Sequence, residues 1–276
     1  MSDHSAIEWT DATWNPWYGC TKVSPGCARC YMFREMRQYG RDPEVVARSK
    51  TKFHDPLRWP DPRLIFTCSW SDWFHESADE WRPEAWQVIR QTPRHTYQIL
   101  TKRPERIADH LPWDWSPENY PNVWLGVSIE SQRYDFRAAL LCTIPAAVRF
   151  ISAEPLLARL DLTRVNPYLG ADDRNRAVAH PMFVGLNVLE WPNHPPAYYQ
   201  EGRRIGRIDW VIAGGESGFG HRPMREAWIR ELRDDCQRYG VAFFLKQLGG
   251  WPDKHGGEKA LLDGRTHTDM PERISA

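Results

Sequence analysis

The chain has 276 residues, of which 41% are hydrophobic and 26% charged, and its formal net charge is zero. This composition is typical of a globular protein and excludes a global electrostatic field that would steer the chain onto nucleic acid. No apolar run is long enough to span a bilayer, and the polar, acidic segment 1–11 does not resemble a secretory signal. We therefore expect a cytoplasmic protein without a membrane partner.

Six short apolar or β-branched runs predict strands, and segments with helical spacing lie between several of them. Strands that alternate with helices are typical of βαβ units in a parallel sheet, so the predicted fold class is α/β. The same pattern fits a full or partial barrel and a flat, doubly wound sheet. The predicted strands are 63–67, 95–100, 122–127, 148–152, 209–213 and 241–245, and the predicted helices are 81–91, 134–141 and 224–239.

Segment 163–207 interrupts this alternation, because it is rich in Pro, Asn, Arg and Gly and has only a short apolar patch at 182–189. We interpret it as an insertion after a strand, where the substrate-binding loops of barrels vary, although a loop without a function also fits. The polar tail 251–276 is predicted to be a small appendage to a single domain formed by residues 1–250.

Three cysteines near the N-terminus carry the strongest chemical signal. Cys20, Cys27 and Cys30 have the spacing C-x6-C-x2-C, and Pro25 and Gly26 favour a turn before the second cysteine. Three neighbouring thiolates need a metal to neutralise their charge. A 4Fe–4S cluster held by three cysteines keeps one iron open, and S-adenosylmethionine (SAM) can chelate that iron through its amino and carboxylate groups. An electron donor such as flavodoxin or ferredoxin would then allow cleavage of SAM to a 5′-deoxyadenosyl radical.

A zinc site is the alternative for these cysteines. Structural zinc normally has four protein ligands, so a distant residue such as His54, His75 or Cys68 would complete the site. This alternative predicts a zinc-stabilised nucleic-acid-binding protein without catalysis.

Polar residues follow the predicted strands, at the sheet edge where α/β enzymes place their sites. Carboxylates there can accept hydrogen bonds from the ammonium group or ribose hydroxyls of SAM, and paired glycines let a ligand approach the backbone. Lys102, Arg103 and Arg106 can hold a phosphate or a carboxylate. The predicted catalytic residues are Asp72, Lys102 and Glu216, and the predicted cofactor-binding residues are Tyr31, Ser69, Ser128, Glu130, Glu154, Gly214 and Gly215.

Two of these carboxylates, Glu154 and Glu216, also fit a different class of enzyme. A barrel hydrolase can use a pair of carboxylates as acid and base, with the cysteines only structural. This alternative predicts activity in air without SAM.

Seven of these motifs, in this order, resemble the phage-associated, radical-SAM-like three-cysteine-motif family. The resemblance covers the chain from Trp9 to Gly250, without the insertion 163–207. The motifs are 14–20 (WNPWYGC) with the cysteine triplet, 71–76 (SDWFHE), 100–104 (LTKRP), 126–130 (GVSIE), 152–156 (SAEPL), 214–218 (GGESG) and 246–247 (KQ).

The resemblance implies a partial (β/α)6-type radical SAM barrel, with the cysteine loop after the first strand and the insertion between the fifth and sixth strands. The family is similar to enzymes of thymine hypermodification in phage DNA, which implies a modified base as substrate, in DNA or as a nucleotide, in the cytoplasm of a host. Hydrogen abstraction from the α-carbon of a glycine attached to thymine would begin an isomerisation. The chain departs from most radical SAM proteins in its wide first cysteine gap and in Arg29, which replaces an aromatic residue, with Tyr31 two positions later.

Overall fold

The computed structural model describes residues 5–166, 185–190 and 206–272. The chain divides into two compact units, one that ends at Leu125 and one that begins at Gly126. Each unit contains parallel strands with helices in the connections between them. Within the described residues, no helix is both long enough and apolar enough to cross a membrane.

The strands of the first unit are short. They are β1 (Ala12–Trp14), β2 (Trp17–Tyr18), β3 (Ala47–Arg48), β4 (Leu64–Thr67) and β5 (Thr96–Thr101), and the helices are α1 (Tyr31–Gln38), α2 (Asp55–Arg58) and α3 (Arg82–Gln91). Strand β4 is buried at all of its residues and pairs in parallel with β1 and β5. Strands β2 and β3 form a separate antiparallel pair beside the cysteine segment.

Buried tryptophans form a large part of the core of the first unit. The ring of Trp73 contacts those of Trp14 and Trp17, with centroids 5.8 and 5.0 Å apart. The indole N–H of Trp14 donates to the carbonyl oxygen of Phe53, and that of Trp17 donates to the carbonyl oxygen of Asp72, both at 3.1 Å. Because both indole donors are satisfied, these rings attach β1 and β2 firmly to the segment that follows β4.

The second unit continues the alternation of strands and helices. Its strands are β6 (Val123–Ser128), which contains the boundary between the units, β7 (Val148–Ala153), β8 (Trp210–Gly214) and β9 (Ala242–Gln247), and its helices are α4 (Phe136–Cys142) and α5 (Glu226–Arg238). Strand β8 pairs in parallel with β7 and β9. Every residue of β7 and β8 is buried, as expected for parallel strands covered on both faces. The strand order of the sheet is β1-β4-β5-β6-β7-β8-β9.

The predicted α/β fold class is confirmed. All six predicted strands and all three predicted helices are present, with ends that differ by at most two residues. Strand β1 has only three residues, so it is too short to give a recognisable apolar run, and only the family resemblance implied a strand before the cysteine loop. Strands β2 and β3, of two residues each, were missed for the same reason.

The insertion predicted at 163–207 connects β7 to β8, and most of it lies outside the described residues. In the described part, Val165 forms an antiparallel bridge with Leu186. The N–H of Ile208 donates to the carbonyl oxygen of Val188 at 2.8 Å. Both ends of the connection are therefore hydrogen-bonded to its described middle segment.

The described part of the polar tail returns to β9. The N–H of Leu245 donates to the carbonyl oxygen of His267 at 2.8 Å, and the N–H of Asp269 donates to that of Phe243 at 3.1 Å. The tail thus adds backbone pairing along this strand. The proposed domain boundary at residue 250 stays a prediction.

One buried carboxylate gives the fold a specific pH dependence. Burial raises the pKa of Asp135 to about 6, although Gln132 and the backbone N–H of Asn166 donate to it. A raised folded-state pKa stabilises the fold fully below the unfolded pKa of about 3.9, and this contribution is lost as the pH rises through about 6.

We therefore expect the wild type to lose about 2 kcal/mol of stability, relative to Asp135→Asn, between pH 4 and pH 7. Urea unfolding of both proteins at pH 4, 5.5 and 7 measures this difference, and the subtraction cancels the titration of the other carboxylates. A stability difference that does not change with pH would contradict the assignment to Asp135.

Candidate functional site

The cysteine segment begins where β2 ends, and backbone hydrogen bonds hold its start from two sides. Gly19 has a φ of +92°, and a Cβ atom there would lie 2.3 Å from the carbonyl oxygen of Val45, so only glycine fits. The N–H of Gly19 donates to the carbonyl oxygen of Trp70, and the N–H of Cys20 donates to that of Pro43, both at 2.9 Å. The backbone of the first cysteine is therefore fixed.

The three cysteines lie on one loop and at the start of the helix that follows it. Cys27 ends a single 3-10 turn, and Cys30 is the N-cap residue of α1. All three are half-buried. Cys20 and Cys30 pack against one apolar cluster, and Cys27 is close enough to both to raise their pKa values by charge repulsion. The cluster consists of Met32, Phe33 and Met36.

The chemistry of this donor set suits an iron–sulfur cluster, because three thiols from one short loop are the ligands that such clusters use. In the part of the chain that the structure describes, no three His, Cys, Asp or Glu side chains are arranged to hold a metal ion. The thiols therefore fit by their type and proximity along the loop, and their side chains would have to turn to hold a shared metal group.

Charged neighbours act on the Cys20 thiol. Burial and the carboxylate of Asp72 raise its pKa to about 12. Arg103 opposes this effect, because its Nη1 lies 3.7 Å from the sulfur and donates to it. The metal-free thiol is therefore protonated at neutral pH, and metal binding must release its proton.

Cys30 has a different set of stabilising neighbours. Burial raises the pKa of its thiol, whereas the backbone N–H groups of Met32 and Phe33 and the ammonium group of Lys102 lower it. The start of a helix and a nearby lysine are the surroundings that favour a thiolate. Lys102, a predicted catalytic residue, thus lies near a predicted metal ligand.

Asp72 follows β4, and protein donors occupy both of its carboxylate oxygens. The Thr101 hydroxyl and the Phe74 N–H donate to Oδ1 at 2.6 and 2.9 Å. The Lys102 N–H donates to Oδ2 at 3.0 Å, and Nη1 of Arg103 lies 3.2 Å from it. Burial alone would raise the pKa of Asp72, but Arg103 and these hydrogen bonds lower it overall. We infer that Asp72 positions Arg103, and its catalytic function stays a prediction.

Arg103 also connects the cysteine loop to His75. Its Nη2 donates to the hydroxyl oxygen of Thr21 at 2.7 Å, and Nε2 of His75 lies 3.1 Å from the same oxygen. The backbone N–H of Ser77 donates to Nδ1 of His75 at 3.2 Å, so the proton of a neutral imidazole is on Nε2. Burial and Arg103 lower the pKa of His75, which keeps it neutral. Both of its ring nitrogens are thus engaged, which disfavours zinc ligation.

The other two residues considered as zinc ligands differ in their surroundings. Nε2 of His54 lies 3.0 Å from the carboxylate of Glu84 on the exposed side of α3. Cys68 is buried directly after β4, and burial raises the pKa of its thiol well above the usual range. Cys68 is also near enough to Cys20 to interact with it electrostatically, so it is the residue that a zinc site would use.

Two predicted cofactor-binding residues of the first unit meet through hydrogen bonds. The Tyr31 hydroxyl donates to the carbonyl oxygen of Ser69 at 2.6 Å, and the side-chain amide of Asn15 donates to the Ser69 hydroxyl at 2.9 Å. The Asn15 carbonyl oxygen accepts from the N–H of Trp70 at 2.7 Å. Sequence analysis missed Asn15, and the signal present in the sequence was its position between Trp14 and Trp17.

In the second unit, Glu130 forms a buried ion pair. Nη1 of Arg137 donates to its carboxylate at 3.0 Å and to the backbone carbonyl oxygen of Ser128 at 2.8 Å. The side chains of Glu130 and Arg137 are almost completely buried. Arg137 therefore connects two predicted cofactor-binding residues, and sequence analysis missed it.

Glu154 and Glu216 each pair with a cation. Nζ of Lys246 donates to the two carboxylate oxygens of Glu154 at 2.8 and 3.0 Å. The guanidinium group of Arg222 donates to both oxygens of Glu216, and the Arg222 backbone N–H donates to Oε2 at 2.8 Å. All three predicted carboxylates of the second unit are thus held in defined orientations by basic side chains.

A family model with the description "Protein of unknown function (DUF5131)" matches residues 4–271. The chain belongs to this family. No curated protein and no solved structure gives a significant match. The family description names no activity. The resemblance to the radical-SAM-like family stays a prediction.

The glycine pair of the DUF5131 chain has a structural reason that the sequence did not reveal. A Cβ atom on Gly215 would lie 2.1 Å from the carbonyl oxygen of Leu248, so the backbones that follow β8 and β9 touch only because residue 215 is glycine. A Cβ atom on Gly214 would lie 3.4 Å from the side chains of Glu154 and Gln247. Close backbone approach therefore explains Gly215 without a ligand, and cofactor binding by either glycine stays a prediction.

We expect Asp72→Asn to destabilise the protein by about 3 kcal/mol, because it leaves the buried guanidinium group of Arg103 with only the more exposed carboxylate of Glu76, 3.6 Å from its Nε. Glu226→Gln is the matched control, because Glu226 pairs with Arg230 at the exposed surface and its loss costs less than about 1 kcal/mol. Urea unfolding at pH 7 compares the two variants. Equal midpoints for Asp72→Asn and the wild type would refute the function of Asp72 as an anchor.

Proposed function

We propose that the protein is a radical SAM enzyme in which Cys20, Cys27 and Cys30 hold a 4Fe–4S cluster. The observation that carries this proposal is the placement of three half-buried thiols on one loop, with Arg103 donating to the first sulfur. Such a cluster would supply an iron that binds SAM and an electron that cleaves it. The parallel strand pairs and the strand order support a partial barrel as part of the proposal, with seven strands in the sheet where the (β/α)6 type has six.

The residues of the first unit would tune the metal ligands. Arg103 holds a positive charge beside Cys20, and Asp72 fixes the orientation of its guanidinium group. Lys102 and the first backbone N–H groups of α1 favour the thiolate form of Cys30. Hydrogen bonds and positive charges near cluster sulfurs shift the reduction potential of the cluster, so Arg103 is the residue through which the protein would adjust it.

The carboxylates of the second unit are proposed to bind the cofactor or the substrate. Glu154 and Lys246 present a paired negative and positive charge, and each side chain is 17% exposed. Such a pair is complementary to a group that carries both an ammonium and a carboxylate. An amino-acid-modified base, such as a thymine with a glycine on its methyl carbon, has these two groups. We therefore propose a modified base as the substrate and its isomerisation as the reaction, with flavodoxin or ferredoxin as the electron donor.

The hydrolase alternative receives less support. A carboxylate pair that hydrolyses a substrate needs one member with an acidic O–H directed at the leaving group. Both oxygens of Glu154 and both oxygens of Glu216 instead accept hydrogen bonds from a cation. Neither carboxyl group presents a proton in this arrangement.

Metal analysis of three variants tests the cluster. We expect protein purified without oxygen to be brown and to contain about four iron atoms per chain, and Cys27→Ala to lose the colour and the iron. Cys236→Ala is the control for the loss of one thiol, because Cys236 is buried in α5, and it should keep the iron. Cys68→Ala separates the alternatives, since it removes the thiol outside the triplet that a zinc site would use. A colourless wild-type protein with about one zinc per chain would exclude the cluster.

A second experiment tests whether the second unit takes part in the reaction. We expect Glu216→Gln to retain the iron but to lower SAM cleavage at least tenfold, because the variant weakens the contact that fixes this carboxylate and Arg222. Glu226→Gln, at the exposed start of α5, should cleave SAM at the wild-type rate. Wild-type cleavage and substrate turnover by Glu216→Gln would remove this residue from the proposed site.

A further inference from the structure

A series of aromatic rings crosses the first unit, from the strand before the cysteine loop to the loop that follows β5. The ring of Trp73 lies between those of Trp17 and Trp86, with centroids 5.0 and 5.1 Å from them. The ring of Trp86 in turn contacts Trp115 at 5.6 Å and Tyr120 at 6.1 Å, and these last two rings are stacked on each other. Such distances are ordinary in an aromatic core. They are also short steps for an electron, because indole and phenol rings lose an electron more easily than a phenylalanine ring does.

Hydrogen bonds connect the first ring of this series to the cysteine loop. The indole N–H of Trp17 donates to the carbonyl oxygen of Asp72 at 3.1 Å, and the carboxylate of the same residue holds Arg103. Nη1 of Arg103 donates to the sulfur of Cys20 at 3.7 Å. The series therefore begins beside a candidate metal ligand and ends on a different loop of the same unit.

The indole groups inside the unit face weak proton acceptors, or none, among the described contacts. The N–H groups of Trp17 and Trp86 both donate to backbone carbonyl oxygens, at 3.1 and 3.0 Å. The indole nitrogen of Trp73 is buried and has no hydrogen-bond partner in the part of the chain that the structure describes. An indole that loses an electron at these positions keeps its proton, because no base is there to take it. It therefore stays strongly oxidising and can take an electron from the next ring.

The last ring differs, because its hydroxyl group faces a base. The phenol O–H of Tyr120 donates to Oδ1 of Asp114 at 3.2 Å. Arg90 pairs with this carboxylate and also lies over the Tyr120 ring, 5.5 Å from its centroid, so the arrangement is fixed. A phenol that loses an electron becomes a strong acid, and Asp114 can accept its proton. The neutral tyrosyl radical that results is where an oxidising equivalent would come to rest.

A second tyrosine of the same aromatic group has no such base among the described contacts. The ring of Tyr97 contacts Trp14 at 5.7 Å, and Trp14 contacts Trp73 at 5.8 Å. The hydroxyl group of Tyr97 is hydrogen-bonded to that of Thr92 at 2.5 Å, and burial raises the pKa of the phenol. A neutral hydroxyl group does not accept a proton at neutral pH. The geometry thus favours oxidation of Tyr120 over oxidation of Tyr97.

We propose that the first unit contains an electron relay that removes oxidising equivalents from the cysteine loop and delivers them to Tyr120. Its members are Trp17, Trp73, Trp86, Trp115 and Tyr120. The inference rests on the proposed function, because iron at the cysteine loop is where hydrogen peroxide would react.

The relay supplies one electron at a time. Each electron starts from Tyr120, whose proton passes to Asp114 and then to solvent. Two electrons and two protons reduce one hydrogen peroxide to two water molecules. Two soluble thiols each return a hydrogen atom to the tyrosyl radical and together form one disulfide, so that the protein is restored.

A photochemical oxidant attached to the cysteine loop tests the relay without iron. The full chain with Cys20→Ser and Cys30→Ser carries a ruthenium polypyridine label on Cys27, because the other three cysteines are buried. Light and a cobalt(III) acceptor produce ruthenium(III), which takes an electron from the nearest ring. We expect electron paramagnetic resonance to show a tyrosyl radical. The radical should disappear in Tyr120→Phe, which lacks the phenol, and weaken in Asp114→Asn, which lacks the base.

Trp86→Phe should also lose the tyrosyl radical, because a phenylalanine ring does not pass the electron on. Tyr97→Phe is the matched control for the loss of a phenol. Trp59→Phe is the control for the loss of a buried indole in this unit, since its described ring contact is with His95. Both controls should keep the radical. A tyrosyl radical of full intensity in both Tyr120→Phe and Trp86→Phe, or no tyrosyl radical in the labelled protein, would overturn the relay.

Exposure to hydrogen peroxide tests what the relay is used for. With a soluble thiol present, iron-loaded Tyr120→Phe should lose its iron faster than the wild type, whereas Tyr97→Phe should lose it at the wild-type rate. Equal rates in all three proteins would overturn the protective function. A labelled chain that forms the radical but never binds iron refutes only the proposed radical SAM function. A brown protein that cleaves SAM but does not form the radical refutes only the relay.

Discussion

The first unit depends on the buried ion pair of Asp72 and Arg103. Burying two charges is expensive, and the cost is offset only when every donor and acceptor finds a partner. Here the carboxylate receives three further hydrogen bonds, and the guanidinium group reaches both the sulfur of Cys20 and the side chain of Thr21. The segment after β4, the end of β5 and the cysteine loop are therefore tied to one pair of charges. Asp72, a predicted catalytic residue, therefore also determines the surroundings of the Cys20 thiol, because it orients Arg103.

The second unit also orients its carboxylates by pairing them with basic side chains, at three separate places. Glu130, Glu154 and Glu216 each accept hydrogen bonds from a basic side chain, so each carboxylate has one preferred orientation. The contact between Gly215 and the Leu248 carbonyl then brings the loops after β8 and β9 together. Preorganisation of this kind lowers the entropy cost of binding a ligand.

The sequence predicts the repetitive parts of the fold well and the partners of its polar residues poorly. Buried parallel strands such as β8 are continuous apolar runs, and α5 buries one face with a period of 3.6 residues, so both are readable locally. The partners of the carboxylates cannot be predicted in this way. Lys246, which pairs with Glu154, is 92 residues away in the sequence, and Arg137, which pairs with Glu130, is seven residues away in α4. The same holds for Gly215, whose small size is required by a carbonyl group in another loop.

The surroundings of the cysteines argue against a purely structural function for the triplet. Burial raises the pKa values of the buried thiols Cys142 and Cys236, and among the described contacts no hydrogen-bond donor lies at either sulfur, although the charge of Arg149 partly opposes the effect at Cys142. Burial also raises the pKa values of Cys20 and Cys30, yet Arg103 donates to the first sulfur and the first N–H groups of α1 act on the second. They lower the cost of a thiolate, and a thiolate at a half-buried loop is the form that binds a metal.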